Sequence, residues 1–271
     1  MESISKYEGG RKVLNKTLII NDKDLPLISI ITVVYNSAGF IEKTIQGIIN
    51  QSYPNIEYII IDGASTDGTI ELLRKYNEYI YYWVSEKDNG LYDAMNKGME
   101  LASGDYIWFI NSGDLPFDLT ILDSVFRNKK QFADIYYGET EIVDPNGQTI
   151  GMRRHKAPEK LNWRSLLKGM KVSHQSIIVK KEMVQPYNLK YKLSSDFDWL
   201  IKVLKKTTLI ENTGLIISKF MDGGLTKKNL IPGLKERFQI MVENYGYFST
   251  VSSHILLAVK LAFYYLKNKR F

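Results

Sequence analysis

A chain of 271 residues, 44% hydrophobic and 12% aromatic, can bury a sizeable core and has the length of one α/β domain or one domain with an appendage. Its 36 Lys and Arg against 30 Asp and Glu leave a formal charge of +6, which suits an anionic substrate or an acidic membrane surface and is too small to argue for nucleic acid alone. The absence of cysteine excludes disulfides and thiolate metal sites; no run of about 18 apolar residues offers a spanning helix, and the opening MESISKYEGGRKVLNK lacks the apolar stretch of a signal peptide.

Residues 1–25 read as a loose polar extension, with 17–20 as a candidate edge strand. The β-branched run 28–34 predicts a buried strand, broken by Tyr35-Asn36-Ser37. Phe40, Ile41, Ile45, Ile48 and Ile49 recur at helical spacing and predict an amphipathic helix ending near 51–54. A second buried strand, 56–61, stops at Asp62, and the loop 63–69 leads into a helix reaching about Tyr76. A third strand, 79–84, ends in Ser85-Glu86-Lys87-Asp88-Asn89-Gly90, and a helix over 91–102 follows. Tyr106 to Ile110 are five apolar residues without polar alternation, which marks a strand covered on both faces. That strand runs into Asn111-Ser112-Gly113-Asp114, an oxygen-rich corner suited to a hard cation and a diphosphate, or, read by itself, to a turn and helix cap.

The order β-α-β-α-β-α-β predicts a parallel sheet with right-handed crossovers. Four successive strands then end on one rim in Asn36, Asp62, Asp88 and Asn111 with Asp114. Like charges gathered on one rim are unfavourable unless a cation or a donor-rich ligand offsets them. Beyond residue 119 the pattern changes. A hairpin is expected over 135–152 around Asp144-Pro145-Asn146-Gly147, strands over 172–179 and 208–217, a helix carrying 199–204 behind Ser194-Ser195-Asp196, and helices over 232–245 and 251–269. One continuous sheet, extended by an acceptor-binding half, is the expected outcome.

The segments Ser29-Ile30-Ile31-Thr32-Val33-Val34-Tyr35-Asn36, Asp62 to Thr69, GLYDAMNKG over 90–98 and the Asn111-Ser112-Gly113-Asp114 corner come in the right order, each at a strand end. Together they resemble the family 2 glycosyltransferases, most of all those that build bacterial surface polysaccharides and lipid-linked oligosaccharides. The match is strong over 27–118 and weaker over 172–204. The resemblance implies an α/β fold of the GT-A type: a mostly parallel central sheet flanked by helices, with a nucleotide-binding half at 26–118, an acceptor-binding half at 119–220 and a helical segment at 221–271. It implies a nucleotide-sugar donor, UDP-linked by analogy, and a glycan or lipid-linked acceptor. Thr32, Val34 and Asn36 would border the base and ribose, and Asp62 would accept the imide N–H of a uracil-like base. Asp88, Asp93, Asn96, Asn111 and Ser112 would line the sugar and diphosphate.

The metal corner departs from the family's Asp-X-Asp pattern: Asn111 and Gly113 stand where aspartates are common, leaving Asp114 for Mg²⁺ or Mn²⁺. His174 is a further candidate, as a ligand or as a group that positions the donor sugar; a half-buried structural histidine is the competing reading. The general base is expected at Asp196, with Asp198 in reserve; Ser195 replaces the family's glutamate, and plain helix capping is the alternative. Helix capping is also the preferred role for Asp67. Lys235 and Arg237 would reach the diphosphate if their helix closes over the site. The last helix, apolar on most sides and basic at its end, suits either an anionic membrane face, which would put the protein in the cytoplasm at the inner side of the membrane, or a core or homodimer contact. A non-catalytic binder of sugar nucleotide or glycan is the competing function. The lack of G-x-G-x-x-G after the first strand and of G-x-x-x-x-G-K-[ST] anywhere argues against dehydrogenases and P-loop enzymes.

Overall fold

The structure is a computed structural model that describes residues 6–16, 25–223 and 229–256. After a short strand β1 (Tyr7–Gly9), the chain alternates β2 (Ile28–Val34), α1 (Ala38–Ile49), β3 (Ile56–Asp62), α2 (Thr69–Lys75), β4 (Tyr82–Ser85), α3 (Leu91–Leu101) and β5 (Tyr106–Phe109). Every residue of β2 is buried because both faces of the strand are covered. Alternation sorts its side chains. Ile28, Ile30 and Val34 join the core under α1 and α2, with Ile41, Ile45, Ile48 and Leu73. Ile31 and Val33 join the core under α3, with Met95 and Met99.

Strand β2 pairs in parallel with β3 and with β5, and β3 with β4, so the local order is β4-β3-β2-β5. The chain steps outward from β2 to β4 and then returns across the sheet to β5. With right-handed crossovers, that reversal puts α3 on the face opposite α1 and α2, and it opens a crevice beyond the carboxyl ends of β2 and β5.

The second half contributes β6 (Leu115–Pro116), α4 (Ile121–Phe126), β7 (Ile135–Val143), β8 (Thr149–Met152), β9 (Ile177–Lys180), α5 (Ser195–Lys206), β10 (Ile210–Met221) and α6 (Leu230–Tyr245). A further helix covers 247–256. The sheet is continuous, in the order β1-β4-β3-β2-β5-β9-β7-β10-β6, with β8 beside β7. It is parallel from β4 through β5, with β1 antiparallel at the edge, and mixed beyond: β9 runs antiparallel to β5 and β7, while β10 runs parallel to β7.

Several expected boundaries move for local reasons. The third strand begins at Tyr82 rather than at residue 79, because the Tyr79 and Ile80 N–H groups bond back to the Tyr76 carbonyl and close a turn. The strand expected over 172–179 is a 3₁₀ turn, His174–Ser176, followed by β9 at Ile177–Lys180. Strand β1 forms an edge against β4; the edge strand expected at 17–20, and the part of the expected last helix beyond residue 256, lie outside the described residues. Among the described residues no helix is long and apolar enough to cross a membrane.

Gly98, inside α3, lets that helix close on the sheet. A Cβ there would sit 2.5 Å from Ile31 Cγ2, the branched carbon of a fully buried side chain. Gly98→Ala is therefore expected to destabilise the fold by about 1–3 kcal/mol despite alanine's better helix propensity. Urea unfolding measures this, and an unchanged midpoint would mean that α3 has room to lift.

Candidate active site

The crevice opens into a cavity of about 800 Å³. Val34, Tyr35 and Ser37 border it after β2, Asp88 and Gly90 after β4, Tyr92 and Met95 on α3, and Asn111, Ser112 and Asp114 after β5. Asp196 enters from the start of α5. Arg153, His155, Lys168, Lys192 and Arg237 complete the wall from the second half.

The corner after β5 is built rigidly. The Asp114 N–H bonds to the Asn111 carbonyl at 2.9 Å, turning the chain tightly. Thr44 on α1 ties that turn down, accepting from Gly113 N–H at 3.0 Å and donating to the Asp114 carbonyl at 2.9 Å. Gly113 has φ +96°, and a Cβ there would meet Met221 Cε at 2.5 Å. The Ser37 and Ser112 hydroxyls join at 2.7 Å, bridging the loops on either side of the crevice.

Asp114 is only 4% exposed. Its carboxylate accepts one bond from Met221 N–H at 3.0 Å and one from Gln175 Nε2 at 2.8 Å. Burial outweighs both donors and pushes its pKa up to about 7. Beside it, the buried Asn111 Oδ1 has no hydrogen-bond partner. Among the described residues no three His, Cys, Asp or Glu side chains form a metal cage. An orphaned amide oxygen and one carboxylate facing a cavity nonetheless fit a hard divalent cation that takes its remaining ligands from phosphate and water.

His174 lines the cavity with one ring nitrogen already engaged. Its Nε2 meets the Tyr187 hydroxyl, and its ring stacks on Phe109 at 5.0 Å. Burial holds the imidazole down at about 4 and the Tyr187 phenol far up, so the phenol donates and the neutral ring accepts. Nε2 is thus held by the core, and the neighbouring Gln175 makes the contact to Asp114.

Asp196 lies in the first turn of α5, where the helix dipole favours a carboxylate. Its Oδ1 accepts from the Tyr92 hydroxyl at 3.2 Å. Tyr92 in turn stacks on Tyr187 at 5.3 Å, and Tyr187 on Trp199 at 5.2 Å, so an aromatic wall backs the carboxylate. The loop entering α5 is held by Glu236 of α6, whose carboxylate accepts from the N–H groups of Lys192, Leu193 and Ser194 at 2.9 Å each. Ser195, in the glutamate position of the resemblance, donates to the Asn188 carbonyl instead. Nothing local in the sequence pointed to Glu236.

Other expected site residues are engaged elsewhere. Asp198 is 1% exposed, paired with Lys202 at 2.7 Å and contacted by Asn244 at 3.2 Å, which removes it as a reserve base. Thr32 points into the core and donates to the Ile110 carbonyl at 2.6 Å. Asp62 is fully buried, accepting from Ser65 N–H at 2.9 Å, from Ser85 Oγ at 2.6 Å and from the Ser65 hydroxyl, so it organises its loop and does not face the cavity. Asn36, with φ 45°, ties the β2 and β3 loops together through Ser65 Oγ and Thr66 N–H. Asp93 caps Asn89 N–H at 2.9 Å. Asn96 brackets the backbone of Tyr187, accepting from its N–H at 2.7 Å and donating to its carbonyl at 3.0 Å. Asp88 stays on the cavity rim, accepting from Gly90 N–H at 2.9 Å. Asp67 accepts from Ala38 N–H at 2.9 Å and from Thr69 N–H at 3.1 Å at the ends of two loops.

The sequence profile of Glycosyl transferase family 2 matches residues 29–185, more than half of the chain and the whole of the rim from β2 to β9. The chain belongs to glycosyl transferase family 2. This glycosyltransferase is 30% identical over 188 residues to a protein of Bacillus subtilis (strain 168) named as a teichuronic acid biosynthesis glycosyltransferase, TuaG; the match covers 67% of this chain and 73% of TuaG. Its fold is also that of S. aureus TarS 1–349 in complex with UDP-GlcNAc, with TM-score 0.63 and 17% identity over 80% of this chain and 66% of that one. The mannosyltransferase PcManGT from Pyrobaculum calidifontis, in complex with GDP-Man and Mn²⁺, gives a TM-score of 0.57 at 15% identity over 88% of this chain and 75% of that one.

Proposed function

We propose that this glycosyltransferase moves a sugar from a UDP-linked donor to a hydroxyl of a glycan or lipid-linked acceptor in bacterial surface-polysaccharide assembly, inverting the anomeric centre. The observation that carries this reading is that Asp196 shares one cavity with Asp88, Asn111 and Asp114 at the carboxyl edge of the parallel strands. The uridine-bound TarS neighbour supports the nucleotide, and the name of TuaG supports the kind of polymer. Residues 26–118 serve the donor and 119–220 the acceptor. Tyr35, 66% exposed on the cavity rim, takes the contact with the base that Asp62 is too enclosed to make.

In the reaction, Asp196 removes the proton from the acceptor hydroxyl as its oxygen attacks the anomeric carbon. The bond to the diphosphate breaks, and its electron pair stays on the departing phosphate oxygen. Tyr92 holds Asp196 in place through the 3.2 Å hydrogen bond. Asp114 and Asn111 would hold Mg²⁺ or Mn²⁺, which supplies positive charge for the diphosphate. An acceptor carried on a lipid would put the work at the inner face of the membrane.

Incubation with UDP-, dTDP- and GDP-sugars and Mn²⁺ or Mg²⁺ tests the reading. Release of UDP from one UDP-sugar is expected, slow onto water and faster with an acceptor fraction, and lowered at least about tenfold by EDTA. Donor binding with no release anywhere in the panel would leave a sugar-nucleotide binding protein on the same fold.

A further inference from the structure

The acceptor side of the cavity carries charge that the donor reading leaves unused. Arg153, Lys168, Lys192 and Arg237 all line it, and His155 adds a fifth basic side chain. Among the described residues none of the four permanent cations has a carboxylate within ion-pair distance, although ion pairs are made elsewhere by Lys97, Lys129, Lys190 and Lys202. The cations come from four separate segments, so no single solvated helix face accounts for them.

Arg153 is fixed in place. Its two terminal nitrogens donate to the Met170 and Lys171 carbonyls at 2.9 Å each, and three of its five N–H donors are left over. Burial pulls its pKa down, the nearby Arg237 charge pulls it down further, and Glu139 and Asp196 act the other way. His155 is likewise held down, first by burial and then by Lys171, Arg153 and Arg154. Arg153 and Arg237 share the cavity and repel each other, and a bound anion between them would offset that repulsion. The donor reading assigns the diphosphate to the Asn111–Asp114 corner and asks nothing of these basic side chains.

Resting on the donor reading above, we propose that this basic wall is a phosphate subsite: the acceptor carries a phosphate group close to the hydroxyl that is glycosylated, and Arg153 and Arg237 hold it. A phosphate suits the wall better than a carboxylate, because it brings up to two charges and three acceptor oxygens to donors that arrive from several directions. The subsite makes Asp196 choose among hydroxyls by anchoring the acceptor through its phosphate.

Glycerol 3-phosphate is the probe, with glycerol and glucuronate as controls, titrated by calorimetry onto the full chain, both free and saturated with UDP and Mn²⁺. Arg237→Gln is the test variant, since Arg237 is half-buried on α6 and makes no hydrogen bond among the described residues. The expected result is that glycerol 3-phosphate binds the UDP-loaded protein, more tightly than glucuronate, and that Arg237→Gln weakens it at least tenfold while UDP affinity stays unchanged and the melting temperature does not fall. Exclusion of glycerol 3-phosphate by UDP, equal binding of glucuronate, or loss of UDP rather than glycerol 3-phosphate in the variant would each overturn the proposal. If UDP fails to bind while glycerol 3-phosphate binds with the expected Arg237 dependence, the donor reading falls and the phosphate site stands.

Discussion

Replacing Asp196 by asparagine is expected to slow sugar transfer by about 10²–10⁴-fold while leaving donor affinity within about twofold of wild type. Asparagine has the same shape and can still accept from the Tyr92 hydroxyl, now 3.2 Å from Asp196 Oδ1. What it loses is the ability to take a proton, so the change falls on kcat and spares KM for the donor. Asp198, two residues on, gives the control. It is buried beside Asn244 and pairs with the half-exposed Lys202, so Asp198→Asn removes a partly screened ion pair and should lower stability by about 1 kcal/mol with kcat little changed. Steady-state kinetics with donor titration and urea unfolding of both variants separate the two outcomes. Full activity in Asp196→Asn would remove it as the base, and a kcat loss in Asp198→Asn as deep as that in Asp196→Asn would reinstate the reserve.

The half of the chain that builds the rim was legible because burial on both faces writes itself as uninterrupted apolar runs: β2 coincides with its expected span at both ends. Which polar residues face the cavity was less legible, since a strand end and the residue two positions earlier share a face but differ in depth. Thr32 lies about 7 Å below Val34 along the strand and is enclosed, while Val34 reaches the cavity. Asp62 is spent on Ser65, three residues later, a local turn that the spacing does advertise. Asn96 is spent on Tyr187, and Glu236 on the loop before α5, contacts made by tertiary packing that no short window of sequence contains. The basic wall was nearly invisible for the same reason: only Arg237 and its neighbour Lys235 stood out, on a helix, whereas Arg153, Lys168 and Lys192 come together only after the mixed half of the sheet has folded.

Asp114→Asn is expected to gain stability and lose function, by amounts that depend on pH. In the protein without metal, burial raises the Asp114 carboxyl from 3.8 to about 7. The folded state therefore binds the proton more tightly than the unfolded chain. The stability tied to that proton is complete below pH 3.8, is lost as pH rises toward 7, and amounts to about 4 kcal/mol. His174 runs the other way. Its ring is held at about 4 against 6.5 in the unfolded chain, so its contribution is complete above pH 6.5 and is lost as pH falls toward 4, by about 3 kcal/mol. Between pH 4 and 6.5 the two slopes oppose each other in the wild type. Asparagine removes only the first, so the stability of the variant should climb relative to wild type as pH rises, reaching a lead of about 4 kcal/mol by pH 7, less a constant penalty of about 1 kcal/mol for turning the Gln175 amide. Urea unfolding at several pH values in EDTA measures the difference, to which all other titrating groups contribute equally in both proteins. Parallel pH curves for the two would mean that water reaches Asp114 freely. With Mn²⁺ and UDP present the order should invert, because a metal bound to the carboxylate stabilises the wild type and displaces its proton. Transfer by the variant should fall at least about 100-fold, since the corner after β5 then holds no carboxylate at all. Stability surrendered at neutral pH to keep a carboxylate enclosed is the physical mark of a group retained for a ligand, and Asp114 is where this chain makes that concession.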